Sequence, residues 1–130
     1  MSNSIFTKII KGEIPAHKIY EDDKTYAFLD IDPVKPGHTL VVTKLQQDQY
    51  IDLPDEDYIA LWLAVKKVAA RLKDVLGTDR VRLGVVGTDV PHVHVHLIPF
   101  NEKDKSLEKE PSSQEADPTA LAEMAAKLAF

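Results

Sequence analysis

The chain has 130 residues, 44% hydrophobic and 28% charged, with a formal net charge of −5 and no cysteine. That is enough for one domain with a real core and too little for two. The missing cysteines exclude a disulfide framework, a thiolate metal site and a thiol nucleophile, and the acidic balance argues against a general binder of nucleic-acid polymers or membranes.

A small anionic ligand stays open, because local backbone N–H groups and a few polar side chains can hold one. The opening Met1-Ser2-Asn3-Ser4-Ile5-Phe6 lacks the basic stretch and apolar run of a signal peptide. No apolar segment approaches the roughly 20 residues of a membrane span. The expected address is therefore cytoplasmic.

In chain order, Ile5, Phe6, Ile9 and Ile10 have helical spacing, with Ser4 as a cap and Gly12 as the stop. Lys18 to Glu21 reads as a short strand, and residues 21–24 as a polar turn. Thr25 to Ile31, rich in aromatic and branched residues, is the next strand. Asp32-Pro33-Val34-Lys35-Pro36-Gly37 must be a loop, and His38 to Thr43 resumes as a strand antiparallel to the one before. Pro54, Asp55 and Glu56 then open a long helix. Its apolar stripe runs Tyr58, Leu61, Trp62, Val65, Val68, Ala69, Leu72, Val75, and Gly77 closes it.

Arg82 to Val86 is predicted as a strand, residues 87–91 as a turn, and His92 to Ile98 as the last strand, stopped by Pro99. Asn101 to Asp117 reads as a charged mobile or surface segment. Asp117-Pro118 starts a final helix with Leu121, Met124, Ala125 and Leu128 on one stripe. The pattern predicts an α+β class with an antiparallel sheet: a domain over residues 1–100, then a charged linker and C-terminal helix over 101–130.

His92, His94 and His96 alternate, so on a strand their imidazoles share one face while Val93 and Val95 point to the other. His38, opening another strand, is placed to join them. Half-exposed histidines are a poor choice for strand stability alone. A metal is the first chemical reading. Adjacent ring-bearing residues have Cα atoms about 6.6 Å apart and the outer pair about 13 Å, so one ion could take two of them plus His38 or an acid. The preferred reading is phosphorus chemistry without metal or other cofactor. Histidine is neutral near pH 7 and attacks phosphorus unaided, and a flanking imidazole can contact a phosphoryl oxygen or protonate the leaving group. His17, alone beside a loop, is read as an ordinary residue.

The segment Pro91-His92-Val93-His94-Val95-His96-Leu97-Ile98-Pro99 is similar to the signature of the histidine triad (HIT) family. Residues 5–16, Tyr20-Glu21-Asp22-Asp23, Ala27-Phe28-Leu29-Asp30-Ile31 and Pro36-Gly37-His38-Thr39-Leu40-Val41-Val42 resemble the Hint branch, which cleaves purine nucleoside phosphoramidates. The likeness covers roughly residues 5 to 100. It implies a five-stranded antiparallel sheet with a short N-terminal helix and one long helix, and a homodimer in which two sheets join into one of ten strands. It further implies a purine nucleotide or nucleotide conjugate as ligand and hydrolysis at the α-phosphorus. By position His94 is the nucleophile, His92 and His96 flank it and touch the phosphate, and His38 supports them. Asp30 holds the ribose hydroxyls, which suits a carboxylate's acceptor lone pairs. Ile5, Phe6, Ile9, Phe28, Ile31 and Leu40 wall the base, though for Ile9 and Leu40 plain core is nearly as good a reading. Gly87, Thr88, Asp89 and Val90 form the loop beside the phosphate.

That loop departs from the family pattern. Thr88 stands where glutamine is usual, and Asp89 where a small hydroxyl residue is usual. An ionised Asp89 repels phosphate unless it turns away or caps the turn. The charged tail after Phe100 is also unlike the short Hint terminus. Three other readings set the tests: a dinucleoside polyphosphate hydrolase using the same histidine, a nucleotide-binding adaptor with little turnover, and a metal-binding module.

Overall fold

The structure is a computed structural model that describes residues 2–104 and 117–130. The expected charged segment at 101–117 lies mostly outside the described residues. The elements run α1 (Ile5–Ile10), β1 (Lys18–Glu21), β2 (Thr25–Leu29), β3 (Thr39–Thr43), a single 3₁₀ turn (Tyr50–Asp52), α2 (Asp55–Leu76), β4 (Arg80–Gly84), β5 (His94–Phe100) and α3 (Pro118–Leu128). The strands form one five-stranded sheet in the order β1-β2-β3-β5-β4, every neighbouring pair antiparallel. The α+β architecture follows the sequence pattern.

α2 returns the chain so that β5 is inserted between β3 and β4, which puts the histidine strand in the interior of the sheet. Acidic Asp55, Glu56 and Asp57 occupy the first turn of α2, and Gly77 ends it in the left-handed conformation at φ 69°. One sheet face (Ala27, Leu29, Val41, Val95, Leu97) packs with Val93 against Leu61, Val65, Val68 and Leu72 of α2 and Leu121, Ala125 and Leu128 of α3. Of the predicted α2 stripe, Tyr58 is exposed rather than buried. Each fully buried Val or Leu contributes about 1.5–3 kcal/mol by leaving water, so this face is the stability core. The opposite face carries a smaller apolar cluster, in which Phe6 and Ile9 of α1 meet Phe28, Leu40 and Val42.

Four predicted boundaries are corrected. β2 ends at Leu29, two residues early, because the Asp30 carboxylate turns back to accept the Asp32 N–H at 2.8 Å. β3 begins at Thr39, since the His38 N–H bonds back to the Lys35 carbonyl at 3.0 Å within the loop. β4 lies two residues earlier than expected. β5 starts at His94 and runs through Pro99 to Phe100. Pro99 pairs with Val81 of β4, but the β3 ladder has already ended at the Thr39–Leu97 pair. With one neighbour gone, a missing N–H is tolerated, and the proline does not stop the strand.

Candidate active site

The turn before β5 sets the site's first member. The His92 N–H bonds to the Val90 carbonyl, and the Val93 N–H to the Gln47 carbonyl, both at 2.8 Å, so His92 precedes the strand instead of pairing in it. Its ring is fully buried. Nε2 lies 2.6 Å from the Thr43 carbonyl oxygen and Nδ1 2.6 Å from Ser4 Oγ. A carbonyl only accepts, so Nε2 carries the proton. Burial, chiefly, pushes the His92 pKa below its ordinary value, with His94 adding to the effect and the Thr43 carbonyl opposing it. The ring is then neutral, and Ser4 donates to Nδ1.

His94 follows by the same logic. Its Nδ1 is 2.7 Å from the His92 carbonyl oxygen, so Nδ1 carries the proton and Nε2 keeps a free lone pair. The ring is buried, with the Phe6 edge packed on it at a centroid distance of 4.9 Å and His96 at 5.2 Å. In the sheet His94 opposes Val42 and His96 opposes Leu40.

His96 and His38 form the third part. The Val34 N–H donates to His38 Nδ1 at 3.1 Å, leaving the His38 proton on Nε2, which points to His96 Nδ1 at 3.0 Å. His96 therefore carries its own proton on Nε2. Asp30 Oδ2 sits 3.6 Å from His38 Nε2. Burial is the largest effect lowering the His38 pKa; the Asp30 carboxylate works against it and His96 with it. Burial likewise lowers the His96 pKa, helped by His94 and opposed by Asp30 and Asp89. Asp30, His38 and His96 bring ligand-type atoms within 4.8 Å of one another. Their donor pattern does not suit a metal, however, because the Val34 N–H keeps the proton on the His38 nitrogen that an ion would need bare.

Around these rings, Phe6, Ile9, Phe28 and Leu40 are buried in one cluster, with Val90 packed beside it. Ile5 and Ile31 lie outside that cluster and are about half exposed, at 47% and 52%. Gly87 takes a positive φ of 75°, and Thr88 Oγ1 donates to Asp89 Oδ1 at 3.4 Å. Asp89 therefore partly turns to its own neighbour, while its charge still reaches His96. The sequence pattern pointed to the histidines but not to Gln46, to Thr43's carbonyl or to Val34's N–H. Ser4 was expected only as a helix cap, and its bond to His92 joins residues 88 positions apart.

Residues 11–103 match the HIT domain family. The chain is 44% identical over 110 residues to an uncharacterized HIT-like protein of Methanocaldococcus jannaschii, covering 81% of this chain and 84% of that one. It is 37% identical over 114 residues to the adenosine 5′-monophosphoramidase HNT1 of Saccharomyces cerevisiae, covering 87% and 72%. The crystal structure of a Hit-like protein involved in cell-cycle regulation from Bartonella henselae superposes with a TM-score of 0.86 at 33% identity, over 97% of this chain and 93% of that one. On sequence and fold together, this chain belongs to the HIT domain family.

Proposed function

We propose that this protein hydrolyses purine nucleoside 5′-phosphoramidates at the α-phosphorus through a nucleotidyl-histidine intermediate on His94. The observation that carries the reading is the 2.7 Å bond from His94 Nδ1 to the His92 carbonyl. It puts the proton on Nδ1 and leaves the Nε2 lone pair bare and oriented, a nucleophile that needs no separate base. His94 Nε2 bonds to phosphorus as the P–N bond breaks, and the electron pair of that bond leaves with the amine, which takes up a proton. Water then displaces the histidine, giving the nucleoside monophosphate, a proton and the free imidazole. His96, with its proton on Nε2, hydrogen-bonds a phosphoryl oxygen, where charge grows in the transition state. His92, with both ring nitrogens engaged inside the protein, orients rather than touches the phosphate. Asp30 takes the ribose hydroxyls, and Phe6, Phe28 and Ile31 wall the base. The yeast relative's activity supports the choice of leaving group.

The test is AMP release from adenosine 5′-phosphoramidate in EDTA, for wild type and His94→Ala. Turnover by the wild type that survives EDTA and vanishes in the variant is expected. AMP binding without turnover would sink the phosphoramidate reading in favour of a dinucleoside polyphosphate.

A homodimer belongs to the same proposal. β4 is an edge strand carrying exposed Leu83, and the chain continues into exposed Val85 and Val86, while Ile59 and Leu63 project from the outer face of α2. Single-copy proteins rarely leave an open edge beside such apolar surface. Sedimentation as a dimer, lost on Leu83→Lys, is the expected outcome, and a wild-type monomer would overturn it.

A further inference from the structure

The N-terminus of α1 is tied to the histidine strand by a closed set of hydrogen bonds that capping alone does not require. Ser4 Oγ accepts the Thr7 N–H at 3.1 Å, the usual cap bond. Its own proton goes to His92 Nδ1 at 2.6 Å. Behind it, Gln46 Oε1 accepts from the Ser4 N–H and from Thr7 Oγ1, each at 2.7 Å. Gln46 Nε2 then donates to the Ser2 carbonyl at 3.0 Å. Ser4 Oγ also lies 3.3 Å from Thr7 Oγ1, and Thr7 Oγ1 3.4 Å from His92 Nδ1. The shorter bonds nonetheless give each hydroxyl one consistent role, with the Ser4 proton on His92 and the Thr7 proton on Gln46. It fixes the His92 ring at one nitrogen while the Thr43 carbonyl fixes the other.

The backbone of that same residue supplies the carbonyl that holds His94. Phe6, two residues after Ser4, packs edge-on against both rings, with centroids 5.7 Å from His92 and 4.9 Å from His94. We propose that Ser4, backed by Thr7 and Gln46, is a positioning residue: it clamps His92 so that the His92 carbonyl keeps the proton of His94 on Nδ1 and Nε2 free. α1 then serves twice, as a wall of the base pocket and as the clamp on the nucleophile. The kinetic side of this inference rests on His94 acting as the nucleophile; the clamp itself does not.

The test compares wild type, Ser4→Ala and Ser4→Thr, the last keeping the hydroxyl. Two readouts are taken: long-range ¹H–¹⁵N imidazole spectra, and kcat and KM for adenosine 5′-phosphoramidate. In wild type His94 is a single Nδ1–H tautomer, and the His92 Nε2–H exchanges slowly with solvent. In Ser4→Ala, His94 becomes a mixture of tautomers, the His92 proton exchanges faster, and kcat falls about tenfold while KM moves less than about twofold. Ser4→Thr restores the spectra and kcat. A folded Ser4→Ala protein with an unchanged His94 tautomer overturns the clamp. So does a loss confined to KM, which is what a helix cap alone would give. If Ser4→Ala does not fold, Thr7→Val decides in its place: a freer His92 ring supports the clamp, and unchanged spectra overturn it. If no variant turns over the phosphoramidate, the functional reading fails, while the imidazole spectra still decide the clamp.

Discussion

The two faces of β5 are built on different physics. Val95 and Leu97 point to the helix side, where they are fully buried against α2 and α3. Their contribution is apolar area, which has no direction and tolerates a neighbour of similar volume. His94 and His96 point to the side of α1, where each ring is held by a directional bond that selects one nitrogen for the proton. There a substitution of equal size is not equivalent, because what matters is which nitrogen stays bare. On the proposed function, one strand thus divides stability from chemistry residue by residue.

The sharpest break of that comparison is the neighbouring pair His94 and Val95. His94→Ala should lower AMP release from adenosine 5′-phosphoramidate by at least about 10⁴-fold, the scale seen when a covalent nucleophile is removed. Val95→Ala should instead cost about 1–3 kcal/mol in denaturant unfolding by opening a cavity, with the rate per folded molecule within about threefold of wild type. If Val95→Ala cuts the rate as deeply as His94→Ala does, the two faces are not separable.

A smaller effect sharpens the open face. Asp30→Asn keeps the shape and the acceptor for the Asp32 N–H but loses the charge. KM for the nucleotide substrate should rise about tenfold, as charge-assisted bonds to the ribose become neutral ones, with kcat nearly unchanged. An unaltered KM would remove Asp30 from the ribose site.

The mildest test is pH. Burial holds His38, His92 and His96 below the ordinary histidine value of 6.5. In the window below that value the unfolded chain binds more protons than the folded one. The stability these rings contribute as neutral groups is therefore fully present above pH 6.5 and is lost as pH falls towards the lowered values. Tm should be flat between about pH 8 and 7 and decline below about 6.5. A Tm that rises between pH 7 and 6 would show that the histidine face is not held neutral. The Val95→Ala cost should not follow this curve, because no charge is involved.

By itself the sequence determined what local periodicity encodes. The alternation of histidine and valine assigned two faces, the stripe from Leu61 to Leu72 assigned the inner side of α2, and Gly77 assigned its end. These signals lie within a few residues of each other and need no partner to be read. The histidine cluster stood out for the same reason, whereas Asp30 and the apolar wall were singled out only through the family resemblance, and their roles remain part of the proposal. Strand ends were less legible, because ladders stop where a neighbouring strand does: Pro99 is permitted only because β3 has ended beside it. The tertiary structure alone decided the tautomers. The proton on His94 is set by a carbonyl of a residue outside the strand, that on His38 by the Val34 N–H, and that on His92 by Thr43 and Ser4. Hydrogen bonds between distant segments leave no period in the sequence, and they are what assign each of the four histidines its protonated nitrogen.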